Sequence, residues 1–155
     1  MNQQQSSNVN IENDLAPLNL SPGFATCSDL LDWVRRVHPA DSLEYLHGVY
    51  EQSFVWLART TDGPHAILKI HKMHQSATNE ANAFAFMKRH KLAGTPRCLA
   101  RSDVEKRIFL LSFESGKSGH LDQVSAFKAG QFLGTLHTTP YSDYDAIPVA
   151  HALRL

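Results

Sequence analysis

The feature that most limits how this chain can fold is a pair of short apolar runs facing each other across Asp62-Gly63. Ser53–Arg59 (SFVWLAR) and His65–His71 (HAILKIH) are rich in β-branched and aromatic residues, and Thr61-Asp62-Gly63-Pro64 between them is a strong turn signal. Two strands around Asp-Gly predict an antiparallel hairpin. Lys69 falls inside the second run, between Leu68 and Ile70, and by alternation it shares a face with Ile67 and His71. A lysine placed there either reaches solvent along its apolar stem or holds a buried anion, because an unpaired buried ammonium is costly.

Elements of both periods surround this hairpin. Leu43–Leu46 reads as a further strand, joined to Ser53–Arg59 through Gly48. Upstream, Thr26 with Asp29 three residues on resembles a capping box, ahead of a helix whose stripe is Leu30, Val34 and Val37 and which Pro39 stops. Downstream, Ser76–His90 has helical spacing of Ala77, Ala81, Phe84 and Met87 and ends at Gly94-Thr95-Pro96. Leu99–Arg101 and Arg107–Phe113 read as a second hairpin, Ser115–Gly119 as a connector and Leu121–His137 as a third helix, with Pro140 and Pro148 interrupting the rest. The expected fold class is α+β, a small antiparallel sheet with one packed helix followed by the first helix of a helical part. Residues 1–24, which open on Gln, Asn and Ser, are expected to be a disordered tail. Residues 25–114 are expected to form the lobe, and 115–155 a linker and the start of a helical lobe.

Composition narrows the function classes. Fifteen Lys+Arg balance fifteen Asp+Glu, and 43% of residues are hydrophobic, which excludes a polybasic membrane binder, a nucleic-acid coat and a wholly disordered chain. No apolar run approaches the roughly 18 residues of a membrane span. The opening MNQQQSSNVN lacks the basic and apolar regions of a secretory signal, and Cys27 and Cys98 are too few and too far apart for a disulfide framework, so a cytoplasmic location is expected. His65, His71 and His74, with Cys98, match no closed zinc spacing. Residues 69–107 carry nine Lys+Arg against three Asp+Glu. That local excess suits a polyanion such as a nucleotide triphosphate, and no groove-reading motif points to nucleic acid.

Glu80 gives Lys69 a candidate partner. It heads the helix after the lysine strand, and its neighbours at helical spacing are Ala83, Phe84 and Met87, so this carboxylate on an apolar stripe also wants a counter-charge. A strand lysine paired with a glutamate of the following helix is the arrangement that positions nucleotide phosphates in protein kinases. Together with Gly48 and Ser53-Phe54-Val55-Trp56, Ile67-Leu68-Lys69-Ile70, Thr95-Pro96-Arg97-Cys98-Leu99, Phe109-Leu110-Leu111 and Gly130-x-x-Leu133-Gly134-x-Leu136-His137, the pair resembles the N-terminal lobe and the start of the C-terminal lobe of the aminoglycoside phosphotransferase and choline kinase-like family, over about residues 26–140.

That resemblance implies a kinase-like nucleotide-binding lobe that uses ATP and Mg²⁺. Lys69 would contact the phosphates and Glu80 would orient it. The Gly48–Ser53 loop would cover the phosphates through backbone N–H groups and the Ser53 hydroxyl, and the backbone of Ser112, Phe113 and Glu114 would form the hinge that holds adenine. The sequence departs from the family in carrying one glycine in that loop, and a serine at 112 where the family frequently has glutamate. The family's reaction transfers the ATP γ-phosphate to a small-molecule hydroxyl. It needs a His-Gly-Asp-x-x-x-x-Asn loop and a later metal-binding Asp, and the 155 residues hold neither; Asp143 and Asp145 have no Asn after them. The expectation is therefore a nucleotide-binding chain without turnover of its own, a fragment, a truncated product or a short pseudokinase-like module, with a possible protein partner over the face that a second lobe would cover.

Overall fold

The computed structural model describes residues 15–49, 52–92 and 95–114, together with residues 127, 131, 134, 135 and 138. The hairpin forms as expected and anchors a five-stranded sheet. β2 (Ser53–Thr60) pairs antiparallel with β3 (Gly63–His71), and Thr60 lies opposite Gly63, whose φ of 122° takes a conformation that favours glycine. β1 (Ser42–Val49) adds on the outer side of β2 with a register shift between Tyr45 and His47. On the other side of β3 comes β5 (Ile108–Ser112) and then β4 (Cys98–Arg101), so the order is β1-β2-β3-β5-β4, antiparallel throughout. As an inner strand covered on both faces, β5 is apolar from Ile108 to Leu111, and all five of its residues, Ser112 included, are buried.

Each face of the sheet has its own cover. One face carries Phe54, Trp56, Ala58, Ala66, Leu68, Ile70, Ile108 and Leu110 and packs against Leu30, Trp33 and Val34 of α1 (Cys27–Val37). Thr26 and Asp29 close a complete capping box at the start of that helix, as their spacing predicts. The opposite face carries Ile67, Phe109 and Leu111, against which α2 (His74–Arg89) sets Ala77, Ala81 and Phe84. This is an α+β architecture. Phe86, outside the expected stripe, is also buried. No helix among the described residues is long and apolar enough to cross a membrane. Of the expected helix Leu121–His137, the described residues Phe127, Gln131, Gly134 and Thr135 are helical; the expected connector and the remainder beyond Thr138 lie outside the described residues.

One expectation needs correction. The last ten residues of the supposed tail, 15–24, belong to the folded lobe: Leu15, Leu18 and Phe24 are buried in the α1-side core, with a 3₁₀ turn at Ala16–Leu18. The physical reason lies in the β4–β5 turn. Arg107 donates Nε–H to Glu105 Oε1 (2.9 Å), Nη2–H to Glu105 Oε2 (3.0 Å) and Asn19 O (2.7 Å), and Nη1–H to Leu18 O and Lys72 O (both 3.1 Å). All five guanidinium N–H groups are thereby met. Ser21 N–H donates to Glu105 Oε2 at 2.8 Å. Buried charge is tolerated because it is paired and fully hydrogen-bonded, and two of the three backbone carbonyls it needs belong to the 15–24 segment. Leu15→Ala is therefore expected to cost about 2–5 kcal/mol in urea unfolding, the range for a buried leucine rather than for a loose tail.

The same pair sets an acid dependence. Burial pushes the Glu105 carboxyl up, but hydrogen bonds from the Arg107 side chain and from the Ser21 and Arg107 backbone outweigh it and hold its pKa at about 2, against an ordinary 4.5. Stability from this group is complete above the ordinary value and is lost as the pH falls from there through about 2, about 3 kcal/mol in all. Urea midpoints measured across that window are expected to fall for the wild type and to fall less steeply for Glu105→Gln, in which Glu80 and Asp29, also lowered, still titrate.

Candidate functional site

Lys69 and Glu80 meet as the sequence predicts. β3 carries Lys69 toward the α2 face, since residues directly opposite in an antiparallel pair share a face and Lys69 lies between Val55 on β2 and Phe109 on β5. Glu80 comes down from the second turn of α2, and its carboxylate receives the Lys69 ammonium at 3.0 Å from Oε1 and 2.8 Å from Oε2. The side chains are 25% and 19% exposed, so both are largely withdrawn from solvent and neither is sealed off from it.

A third group joins them. His71, two residues along β3 and on the same face, places Nε2 against Glu80 Oε2 and is itself only 7% exposed. Its ring meets Phe109 edge-on, at 5.6 Å and 86°, and its backbone N–H donates to Arg107 O at 3.0 Å. Burial pushes the Glu80 carboxyl up, but hydrogen bonds from His71 and Lys69 overcome this and lower its pKa. The sequence placed His71 beside Lys69 by alternation without giving it a partner; its two-residue spacing from the lysine was the signal available. Among the described residues no group of three or more His, Cys, Asp or Glu could hold a metal ion. The cluster supplies a cation for an anionic ligand and no carboxylate set for Mg²⁺. Asp143 and Asp145 lie outside the described residues.

The other expected site residues are placed as follows. Gly48 and Ser53 are strand residues, paired with Phe54 and Val49 at the β1–β2 end, so the connection between the strands is shorter than the Gly48–Ser53 loop expected. Residues 50 and 51 lie outside the described residues. Ser53 is buried and stands opposite His71, so it shares the Lys69 face. Ser112 does not: it pairs with Ala66, whose side chain is in the α1-side core. Its hydroxyl accepts from Arg97 N–H and donates to Glu114 Oε1, both at 2.8 Å. Phe113 is half-buried and Glu114 exposed just beyond the end of β5. Glu114 also lines a cleft of about 990 Å³ between α2 and β4, which has Phe84 and Leu99 among its apolar residues and Lys88, Lys91, Arg97 and Arg101 among its charges. Lys69 is not among the residues lining that cleft.

No known protein-family model matches the sequence, and no curated protein matches it. Among solved structures, the streptomycin–ATP–APH(2")-IIa ternary complex is similar with a TM-score of 0.55 and 15% identity, over 81% of this chain. The chain spans 42% of the length of that structure's chain. The strand order, the α2 packing and this likeness together establish that the chain has the fold of an aminoglycoside-phosphotransferase-like kinase N-lobe.

Proposed function

We propose that this chain is the ATP-binding lobe of a small-molecule kinase, in which Lys69 contacts the nucleotide phosphates and Glu80 orients it. The observation that carries the reading is the Lys69–Glu80 ion pair on the α2 face of the sheet, with the lysine side chain still partly exposed. A strand lysine held by a helix carboxylate is fixed in direction, so less side-chain freedom is lost when a phosphate arrives. Half-buried Val55 and Ile67 flank Lys69 on that face and offer an apolar surface for the base. The backbone of Phe113 and Glu114 would serve as the hinge; the Ser112 hydroxyl, already bonded to Arg97 and Glu114, would not take part. When bound, Mg²⁺ would neutralise phosphate charge, and its ligands would have to come from outside the described residues. Phosphoryl transfer to a hydroxyl belongs to the whole kinase, and the 155 residues alone are expected to bind Mg-ATP without consuming it. Calorimetric titration with Mg-ATP tests the reading: saturable one-to-one binding supports it, and no heat at millimolar nucleotide overturns it.

The cleft between α2 and β4 favours a second reading, a protein-binding module. Its apolar residues and four cations against the single acid Glu114 suit an acidic peptide with a large apolar side chain.

A further inference from the structure

Glu80 is held from two sides, and only one of its partners faces outward. Lys69 is the most exposed member of the cluster and His71 the least, with the carboxylate between them. If an anionic ligand draws the Lys69 ammonium away, a carboxylate that is four-fifths buried loses a partner, and an unmet buried charge is costly. The His71 Nε2–H prevents that loss, because its bond to Oε2 does not depend on where Lys69 points. His71 is itself fixed by the Arg107 carbonyl at its backbone and by Phe109 at its ring. Arg101 also lies on this side, its guanidinium 5.0 Å from the centroid of the Phe109 ring.

We propose that His71 is a positioning residue for Lys69, acting through Glu80: it holds the carboxylate in place while Lys69 turns to an anionic ligand. The proposal rests on the reading of Lys69 as the phosphate contact. It separates the roles of the two donors on Glu80, one facing the ligand and one facing the core. The role also follows from chemistry specific to imidazole at this position, where a phenyl ring would fill the space against Phe109 and donate nothing.

The test uses the 155-residue chain with His71→Phe and His71→Gln, the glutamine amide reaching about as far as the ring Nε2. Two quantities are read: the titration midpoint of the Glu80 carboxyl by carbon NMR without ligand, and the affinity for Mg-ATP by calorimetry. In His71→Phe the Glu80 midpoint is expected to rise, and the dissociation constant to increase about tenfold, as for loss of a hydrogen bond to a charged group. His71→Gln is expected to restore both toward wild type. Should phenylalanine unfold the chain, His71→Asn, whose amide stops short of Glu80, carries the same expectations. An unchanged Glu80 midpoint in the variant lacking the donor overturns the hold of His71 on Glu80. A moved midpoint with unchanged Mg-ATP affinity overturns the positioning role. A wild type that binds no nucleotide while the midpoint still moves overturns the reading of Lys69, and with it the purpose assigned to the hold.

Discussion

Arg107→Ala is expected to destabilise the lobe by about 3–5 kcal/mol, the range for removing one partner of a buried ion pair. The magnitude comes from what is left behind. Glu105 is 1% exposed, and without the guanidinium it keeps only neutral donors, so a carboxylate held at about 2 would move up and take a proton or pull the turn open. The carbonyls of Leu18, Asn19 and Lys72 lose their donor at the same time, and two of them belong to the segment that buries Leu15 and Leu18. Arg107→Lys keeps the charge but cannot form the five-donor fork, and it should recover less than half of the loss. Because both side chains serve one network, the Glu105→Ala/Arg107→Ala double variant should cost less than the sum of the two single variants. Urea unfolding of the four variants checks this, and an Arg107→Ala chain within about 1 kcal/mol of wild type would show that residues 15–24 are held by their apolar contacts alone.

Lys69→Met has the second large expected effect, on binding rather than stability. Methionine matches the stem of lysine and removes its charge, so the sheet face keeps its packing while the ligand loses its cation. A charge-assisted contact to a phosphate contributes about 2–3 kcal/mol, so the dissociation constant for Mg-ATP should rise about 30- to 150-fold. Glu80 would retain His71, which limits the structural cost of losing the lysine. Melting temperature measured beside affinity separates the two: a shift of a few degrees with a large loss of binding is the expected pattern.

Much of this was legible in the sequence, because it is written in local signals. The Asp62-Gly63 turn set the hairpin, Thr26 and Asp29 set the start of α1, and the alternation around Lys69 set the face on which it meets Glu80. Other features depend on residues far apart in the chain. Residues 15–24 have no periodicity that announces packing, and their anchor, Arg107, lies 88 positions from Asn19. Between the two runs of the second hairpin nothing in the sequence states that Glu105 is buried, or that Arg107, at the start of the second run, is buried with it. Hairpin signals likewise give neighbours and not order, so the placement of β5 between β3 and β4 came from burying its apolar residues on both faces. The start of α2 at His74 instead of Ser76 has a local cause: Met73 occupies the N-cap without a side-chain bond, so no capping residue marked the boundary.

The central claim is that the sheet face bearing Lys69 receives the nucleotide, and mapping the bound ligand on the isotope-labelled chain tests it most directly. On addition of Mg-ATP, the account predicts that amide and side-chain NMR shifts concentrate at Lys69, Glu80, Val55 and Ile67 and at the backbone of Phe113 and Glu114. Shifts confined to Lys88, Lys91, Arg97 and Leu99, in the cleft between α2 and β4, would contradict it.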